Sequence, residues 1–253
     1  MRIGLFVTCL VDAMRPSIGF ASIQLLEMAG CSVSVPETQT CCGQPGFNSG
    51  DRKSGTALAL AFLRDFESYE AIVAPSGSCI AMIRDYPRLF ESDPILQQRL
   101  QVLSERAFEL TDFLVHHAPQ PIPAGQLKEV TISYHDSCSG LRHLGVKAQP
   151  RALLNQTQGL QLKEMKDAEI CCGFGGSFSI KLGDIATQMA EKKCAHAIDT
   201  GCDVIVGGDL GCLLNIEGRL RRRGDGHTQV KHVAEVLADS LASQPQEPTG
   251  KTP

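Results

Sequence analysis

One pattern of cysteines, written twice, constrains this chain more than any other feature. Adjacent pairs followed by glycine occur at Cys41-Cys42-Gly43 and again at Cys171-Cys172-Gly173, 130 residues apart. A single cysteine stands 32 residues before the first pair (Cys9) and 33 before the second (Cys138), and another follows each pair, at Cys79 and Cys212. Landmarks that recur in one order at a near-constant offset mark an internal repeat. The chain reads as a tandem duplication.

Local patterning repeats as well. Arg2 to Thr8 and Glu129 to Tyr134 are short β-rich runs that each deliver a cysteine just past the strand end, and Glu70 to Pro75 and Cys202 to Gly207 do the same for Cys79 and Cys212. Helical patterns separate them: Ile18 to Ala29, Leu58 to Phe66 and Ile185 to Ile198, the last with Ile185, Met189, Cys194 and Ile198 on one apolar face. Strands alternating with helices of this length imply parallel strands joined by crossovers. The expected fold is therefore α/β, a tandem duplication of two small parallel-sheet units. Their cysteines fall at the carboxyl ends of strands, where open sheets gather ligands. Ser92-Asp93-Pro94 starts a further helix carrying Leu103, Ala107, Leu110 and Leu114, and the Pro-rich run from Pro119 to Pro123 breaks it. These breaks divide the chain into a first repeat at 1–125, a second at 126–242, and a polar, Pro-containing tail at 243–253 expected to be disordered.

With 253 residues, 43% of them hydrophobic, the chain can bury a sizeable core, yet it holds no apolar run long enough to span a bilayer. A net charge of −4 leaves no electrostatic footprint for nucleic acid, and the basic cluster Arg219 to Arg223 reads as a solvated helix end. The apolar stretch within Met1 to Val7 is short for a signal peptide and runs into Thr8-Cys9 without a cleavage site, so a cytoplasmic location is expected. Eleven cysteines then need another explanation than disulfides, which a reducing compartment disfavours. Metal binding is the leading one.

Thiolate sulfur selects zinc, copper(I) or iron–sulfur clusters. Structural zinc sites usually draw on Cys-x₂₋₄-Cys knuckles, and the chain contains no Cys-x-x-Cys. Two adjacent cysteines point apart on a regular strand. Both serve one site only through an irregular turn or by reaching different metal atoms, and Gly43 and Gly173 supply the backbone freedom for that turn. A multi-iron cluster fits the pairs better than a single ion. A disulfide between neighbours would be strained. Cys31, Cys194 and Cys202 have no counterpart in the other repeat and read as small buried hydrophobes.

The two repeats, together with Phe6-Val7-Thr8-Cys9, Cys42-Gly43-Gln44-Pro45, Pro75-Ser76-Gly77-Ser78-Cys79, Gly173-Phe174-Gly175-Gly176 and Cys212-Leu213-Leu214-Asn215-Ile216, resemble the cysteine-rich CCG domain family. That family includes the B subunit of heterodisulfide reductase, the iron–sulfur subunit of glycolate oxidase and proteins of lactate utilisation. The resemblance implies one iron–sulfur cluster per repeat, held by Cys9, Cys41, Cys42 and Cys79 and by Cys138, Cys171, Cys172 and Cys212. In the heterodisulfide-reductase members each pair is followed by a Cys-x-x-Cys, whose first position is here Ser76 in one repeat and Asp209 in the other. Four thiolates per site remain, enough for an ordinary four-iron cluster. Asp209 is a candidate oxygen ligand, Ser76 a candidate hydrogen-bond donor beside the site, and His135 a candidate donor to a cluster sulfur or a proton carrier.

The resemblance further implies an electron-transfer role in oxidising L-lactate to pyruvate. No flavin or nicotinamide motif and no ferredoxin-type cysteine run is present, so the chain lacks equipment for hydride transfer by itself. The implied partners are a ferredoxin-type subunit resembling lactate utilisation protein B and one resembling lactate utilisation protein C. Two other readings stay open: a cluster-based thiol or disulfide reductase subunit of the heterodisulfide type, and a non-redox zinc scaffold.

Overall fold

A computed structural model describes residues 1–243. The expected disordered tail, Ser243 apart, lies outside the described residues. The apolar runs seen in the sequence form the central strands of two parallel sheets. The first contains β1 (Arg2–Leu5), β2 (Ser32–Ser34), β3 (Ala71–Ala74) and β4 (Ala107–Glu109) in the order β2-β1-β3-β4. The second contains β5 (Gln126–His135), β6 (Gln158–Leu162), β7 (Val204–Gly207) and β8 (Gln229–His232) in the equivalent order β6-β5-β7-β8. The duplication therefore extends from cysteine spacing to topology, and the fold is the expected tandem α/β arrangement. β3 and β7 are buried along their whole length, as continuous apolar strands covered on both faces must be.

In each sheet the chain leaves its first strand to one side and returns on the other. The switch points lie between β1 and β3, where Leu5 pairs with Val73, and between β5 and β7, where Tyr134 pairs with Val206. Loops at the carboxyl ends diverge there and leave a crevice.

The halves share one core. Side chains from β1 and the helix Ser17–Met28 pack in one cluster with those from β5, β7 and the helix Val233–Ala242. Arg15 crosses the junction, its guanidinium donating to the Glu217 carboxylate at 3.0 Å and to the Val230 carbonyl at 3.1 Å. Closest of all are the starts of two helices, Gly77–Asp85 and Cys138–Leu144: a Cβ on Gly77 would lie 2.7 Å from the Gly140 Cα. Only glycine permits that approach.

Two expectations are corrected. The single helix expected from Pro94 through Leu114 is two, Pro94–Glu105 and Leu110–His116, with β4 between them. Pairing of Ile72 with Ala107 and Val73 with Phe108 fills the open edge of β3, a tertiary gain that outweighs helical spacing. The apolar face expected for the helix Gly183–Ile198 is also rotated. Ile185 and Ile198 are exposed, and Ala186, Ala190, Lys193, Cys194 and Ala197 point inward, small side chains letting this helix lie close to the loop that carries Cys171 and Cys172.

Glu109 ends β4 and caps the next helix, accepting from the backbone N–H groups of Thr111 at 2.8 Å and Asp112 at 3.2 Å. It is 3% exposed, and burial raises its carboxyl to about 7. A raised carboxyl contributes stability that is present below the ordinary value and lost as pH rises from about 4.5 to about 7. Glu109→Gln keeps the accepting oxygen without the charge. Urea unfolding between pH 5 and pH 8 is expected to show a loss of order 2 kcal/mol in the wild type that the variant lacks. Parallel curves for the two proteins would show that Glu109 ionises without cost.

Candidate metal centre

Each repeat uses its switch point to gather four thiols. Beyond β1 the chain turns at Thr8, in the left-handed region at φ +75°, and enters the helix Cys9–Met14. Beyond β3 the helix Gly77–Asp85 places Cys79 in its first turn, and Cys41 and Cys42 close the gap from the preceding loop. The Cys9 sulfur lies 3.6 Å from that of Cys41. Cys41 in turn contacts Cys42, and Cys42 contacts Cys79. The second repeat builds the same chain of contacts, Cys138 to Cys171, Cys171 to Cys172 and Cys172 to Cys212. Both fourth cysteines stand in the first turns of helices of at least nine residues, whose partial positive charge favours thiolates.

The adjacent pairs converge through an irregular turn, repeated closely in the two halves. Gly43 at φ +84° and Gly173 at φ +88° each turn a backbone N–H onto the first sulfur of the pair, at 3.3 Å in both repeats. The carbonyl of the second cysteine is held from the far side, Cys42 by the Tyr86 hydroxyl at 2.8 Å and Cys172 by the Asn215 amide at 2.9 Å.

Crowding dictates the electrostatics. Cys41 accepts from Cys42, Cys9 and the Gly43 N–H, which holds its thiol far below the ordinary value. Cys9 and Cys42 are pushed up, chiefly because each donates to Cys41 and is partly or fully buried. Cys138 is raised likewise by donating to Cys171 and by burial. The nest thus shares protons among its sulfurs, and only a bound cation would allow all four to be thiolates together.

The two oxygens that stand in for a cysteine meet each other. Asp209 Oδ2 accepts from the Ser76 hydroxyl at 3.2 Å and from the Ser78 backbone N–H at 3.0 Å, so the carboxylate of the second repeat reaches the helix start that carries Cys79 in the first. Ser76 caps that helix by accepting from the Cys79 N–H at 3.3 Å. His135, at the end of β5, is 1% exposed; among the described residues its ring nitrogens make no close hydrogen bond, and the acceptor acting on the ring is the Ala168 carbonyl. One of them lies within 4.8 Å of the sulfurs of Cys172 and Cys212. Burial, reinforced by the nearby Lys193 ammonium, lowers His135 to about 3, so the imidazole is neutral.

A cleft of about 390 Å³ opens between the repeats, lined by thiols of both, including Cys9, Cys42, Cys79, Cys138 and Cys212. Cys31, Cys194 and Cys202 stand apart from it. Cys31 packs in the core, while Cys194 and Cys202 face the carbonyls of Ile216 and Ala197. Sequence reasoning missed Lys193, a buried lysine beside the second thiol nest, because a lysine on a helix reads as solvent-facing. The signal that could have found it is internal: the matching position of the first repeat is a phenylalanine.

Such a doubled thiol crevice defines a cysteine-rich domain protein, and the family model named CCG, cysteine-rich domain, matches residues 3–84 and 132–217. The chain belongs to this family. Among its relatives are lactate utilization protein A of Halalkalibacterium halodurans, 42% identical over 94% of this chain and 96% of that one, and of Bacillus subtilis, 42% identical over 94% and 99%. Lactate utilization protein A of Bacillus pumilus is 44% identical over 94% and 99%. A hypothetical protein from Helicobacter pylori shares the fold, with a TM-score of 0.68 at 11% identity; this chain covers about half of it, 49%, with 96% of its own length.

The pair turns also predict an asymmetry in tolerance. A left-handed non-glycine residue costs roughly 1–2 kcal/mol. At Gly173 an added Cβ would in addition lie 2.5 Å from the Ala186 carbonyl oxygen, whereas at Gly43 its nearest neighbour is the flexible Leu58 side chain at 3.2 Å, with the Gly55 Cα no nearer than 3.7 Å. Gly173→Ala is expected to lower the thermal midpoint by several degrees more than Gly43→Ala. Equal losses would mean that the helix Gly183–Ile198 shifts freely to admit the methyl group.

Proposed function

We propose that each repeat, 1–125 and 126–242, holds an iron–sulfur cluster on its four cysteines, and that the chain is an electron-transfer subunit of an L-lactate-oxidising complex. The observation that carries this is the pair of four-thiol nests, built alike at two switch points and opening on one cleft. Four sulfurs per nest match the ligand count of a four-iron cluster. The buried His135 ring, with one nitrogen close to two of those sulfurs, suits a polar group beside such a cluster. Bound there, the clusters supply one-electron redox chemistry. The chain's own residues bind them, Gly43 and Gly173 donate to a ligand sulfur, Tyr86 and Asn215 fix the pair turns, and the apolar packing around Cys42 and Cys172 limits water.

The relatives' name supports lactate utilisation as the setting; oxidation to pyruvate is the reaction this reading places there. Among the described residues no helix is long and apolar enough to cross a membrane. Hydride removal from a hydroxy acid then falls to partners, of which a ferredoxin-type subunit like lactate utilisation protein B and one like lactate utilisation protein C complete the path.

Anaerobically purified protein is expected to be brown and to contain iron with acid-labile sulfide. Cys42→Ser and Cys172→Ser should each lose about half of the iron, because the sites belong to separate nests, whereas Cys31→Ser should keep all of it. Colourless protein with stoichiometric zinc would replace this reading with the scaffold reading. Equal iron loss in Cys31→Ser and Cys42→Ser would refute the ligand assignment.

A further inference from the structure

Behind each thiol nest the two repeats place a different pair of side chains. The buried positions of the helix Arg52–Phe66 (Gly55, Ala59, Phe62, Leu63, Phe66) match those of the helix Gly183–Ile198 (Ala186, Ala190, Lys193, Cys194, Ala197), which sets Phe62 against Lys193. The glycines of the pair turns fix the same alignment: Gly43 faces Leu58 and Gly55, and Gly173 faces Met189 and Ala186. Alignment of Cys9 with Cys138 sets Phe6 against His135.

In the first repeat Phe6 and Phe62 meet edge to face, 5.2 Å apart, within the core cluster that includes Cys42 and Cys79. An imidazole and an ammonium occupy these places in the second. Lys193 is 2% exposed and donates to the carbonyls of Asp167 and Ala168. Among the described residues it forms no ion pair. The buried Asp136 carboxylate is taken by Arg151 at 2.8 and 2.9 Å, and Asp167 lies 3.7 Å from His196. Burial lowers the Lys193 ammonium from its ordinary value, and a buried cation whose nearby carboxylates, Asp136 and Asp167, act on it without direct contact gains from further negative charge. Cys172 and Cys171 lie within its electrostatic reach, and as cluster ligands they would supply that charge.

We infer that Lys193 and His135 make the second site the more readily reduced of the two, an inference that rests on the cluster reading above. Each one-electron reduction adds a negative charge to its site. A nearby ammonium in a low-dielectric interior stabilises that charge, and a polar imidazole close to the Cys172 and Cys212 sulfurs stands where the first repeat has a phenyl ring. Two aromatic rings offer neither. The Asp209 carboxylate acts on Cys212 and Cys138 in the opposite sense, partly offset by its bonds to the Ser76 hydroxyl and the Ser78 N–H, and the inferred order has Lys193 and His135 together outweigh it.

The experiment is an anaerobic dithionite titration of the full chain followed by electron paramagnetic resonance, with Cys42→Ser and Cys172→Ser used to assign the signals. Two resolved potentials are expected, the higher one missing from Cys172→Ser. Lys193→Met and His135→Phe should lower that potential and leave the other in place, while Lys193→Arg, which keeps the charge, should stay near the wild-type value. Coincident potentials, the opposite order, or an equal shift in Lys193→Arg and Lys193→Met would overturn the inference. Should Lys193→Met fail to fold, the wild-type order still decides. Protein that carries no iron and sulfide overturns the cluster reading and this inference together; loaded protein with the opposite order overturns only the inference.

Discussion

Four sulfurs held in mutual contact are unstable as four thiolates and awkward as four thiols, and the rest of the molecule is organised around that constraint. Each nest can share its protons only by making one sulfur an acceptor, as Cys41 is for Cys9, Cys42 and the Gly43 N–H. Bringing the sulfurs so close without a ligand has no evident structural benefit, since a buried cysteine is stabilised equally well by apolar neighbours, as Cys31 and Cys194 are. The crowding makes sense when metal replaces the protons. Its geometry then requires the switch point, where two strand ends and a loop can converge, and the left-handed glycine, without which adjacent cysteines diverge.

The same constraint explains why the two repeats are pressed together at their chemical ends. Gly77 and Gly140 allow the first turns of two helices to touch, and the Ser76 and Asp209 side chains bond across the junction. These contacts turn two crevices into one cleft that meets thiols of both nests. An electron passed between sites would then cross the interior of one chain. Asp209 occupies a position equivalent to Ser76 in sequence yet lies against it in space, as expected when two similar units pack about an approximate twofold relation.

Much of this was legible in the cysteines alone. Their doubled spacing shows the duplication and the sets Cys9, Cys41, Cys42, Cys79 and Cys138, Cys171, Cys172, Cys212, because ligand spacing is tied to strand ends and survives without any knowledge of packing. The edge strands were not legible. β2 and β4 are three residues each, and β4 lies inside a helical pattern that only pairing with β3 interrupts. Nor was the inward face of the helix Gly183–Ile198, since Ile185 and Ile198 outweigh the alanines on any hydrophobicity count. The direction of the Asp209 carboxylate was hidden for a different reason: it depends on how the repeats dock, and no spacing within one repeat encodes that.

Duplication also supplies an internal comparison that a single site would lack. The features that build each nest, namely four sulfurs, a glycine turn and a hydrogen bond on the pair carbonyl, are equivalent in the two repeats, although Tyr86 provides that bond in one and Asn215 in the other. What differs lies one layer behind, where Phe6 and Phe62 face His135 and Lys193 in alignment. Ligand positions cannot change without losing the site, whereas the positions behind them can change charge as long as they fill the space. Packing alone gives no reason to put an ammonium there, because an aromatic pair contributes roughly 0.5–1.5 kcal/mol beyond its burial and a buried cation costs several. Two backbone carbonyls and the Asp136 and Asp167 carboxylates offset part of that cost, negative charge on the second nest would offset more, and the first nest, backed by hydrocarbon, has no such cation behind it. Under the proposed cluster reading, two nests with the same sulfurs and different backing are two different redox environments, which is the property a chain needs if it is to pass electrons in one direction.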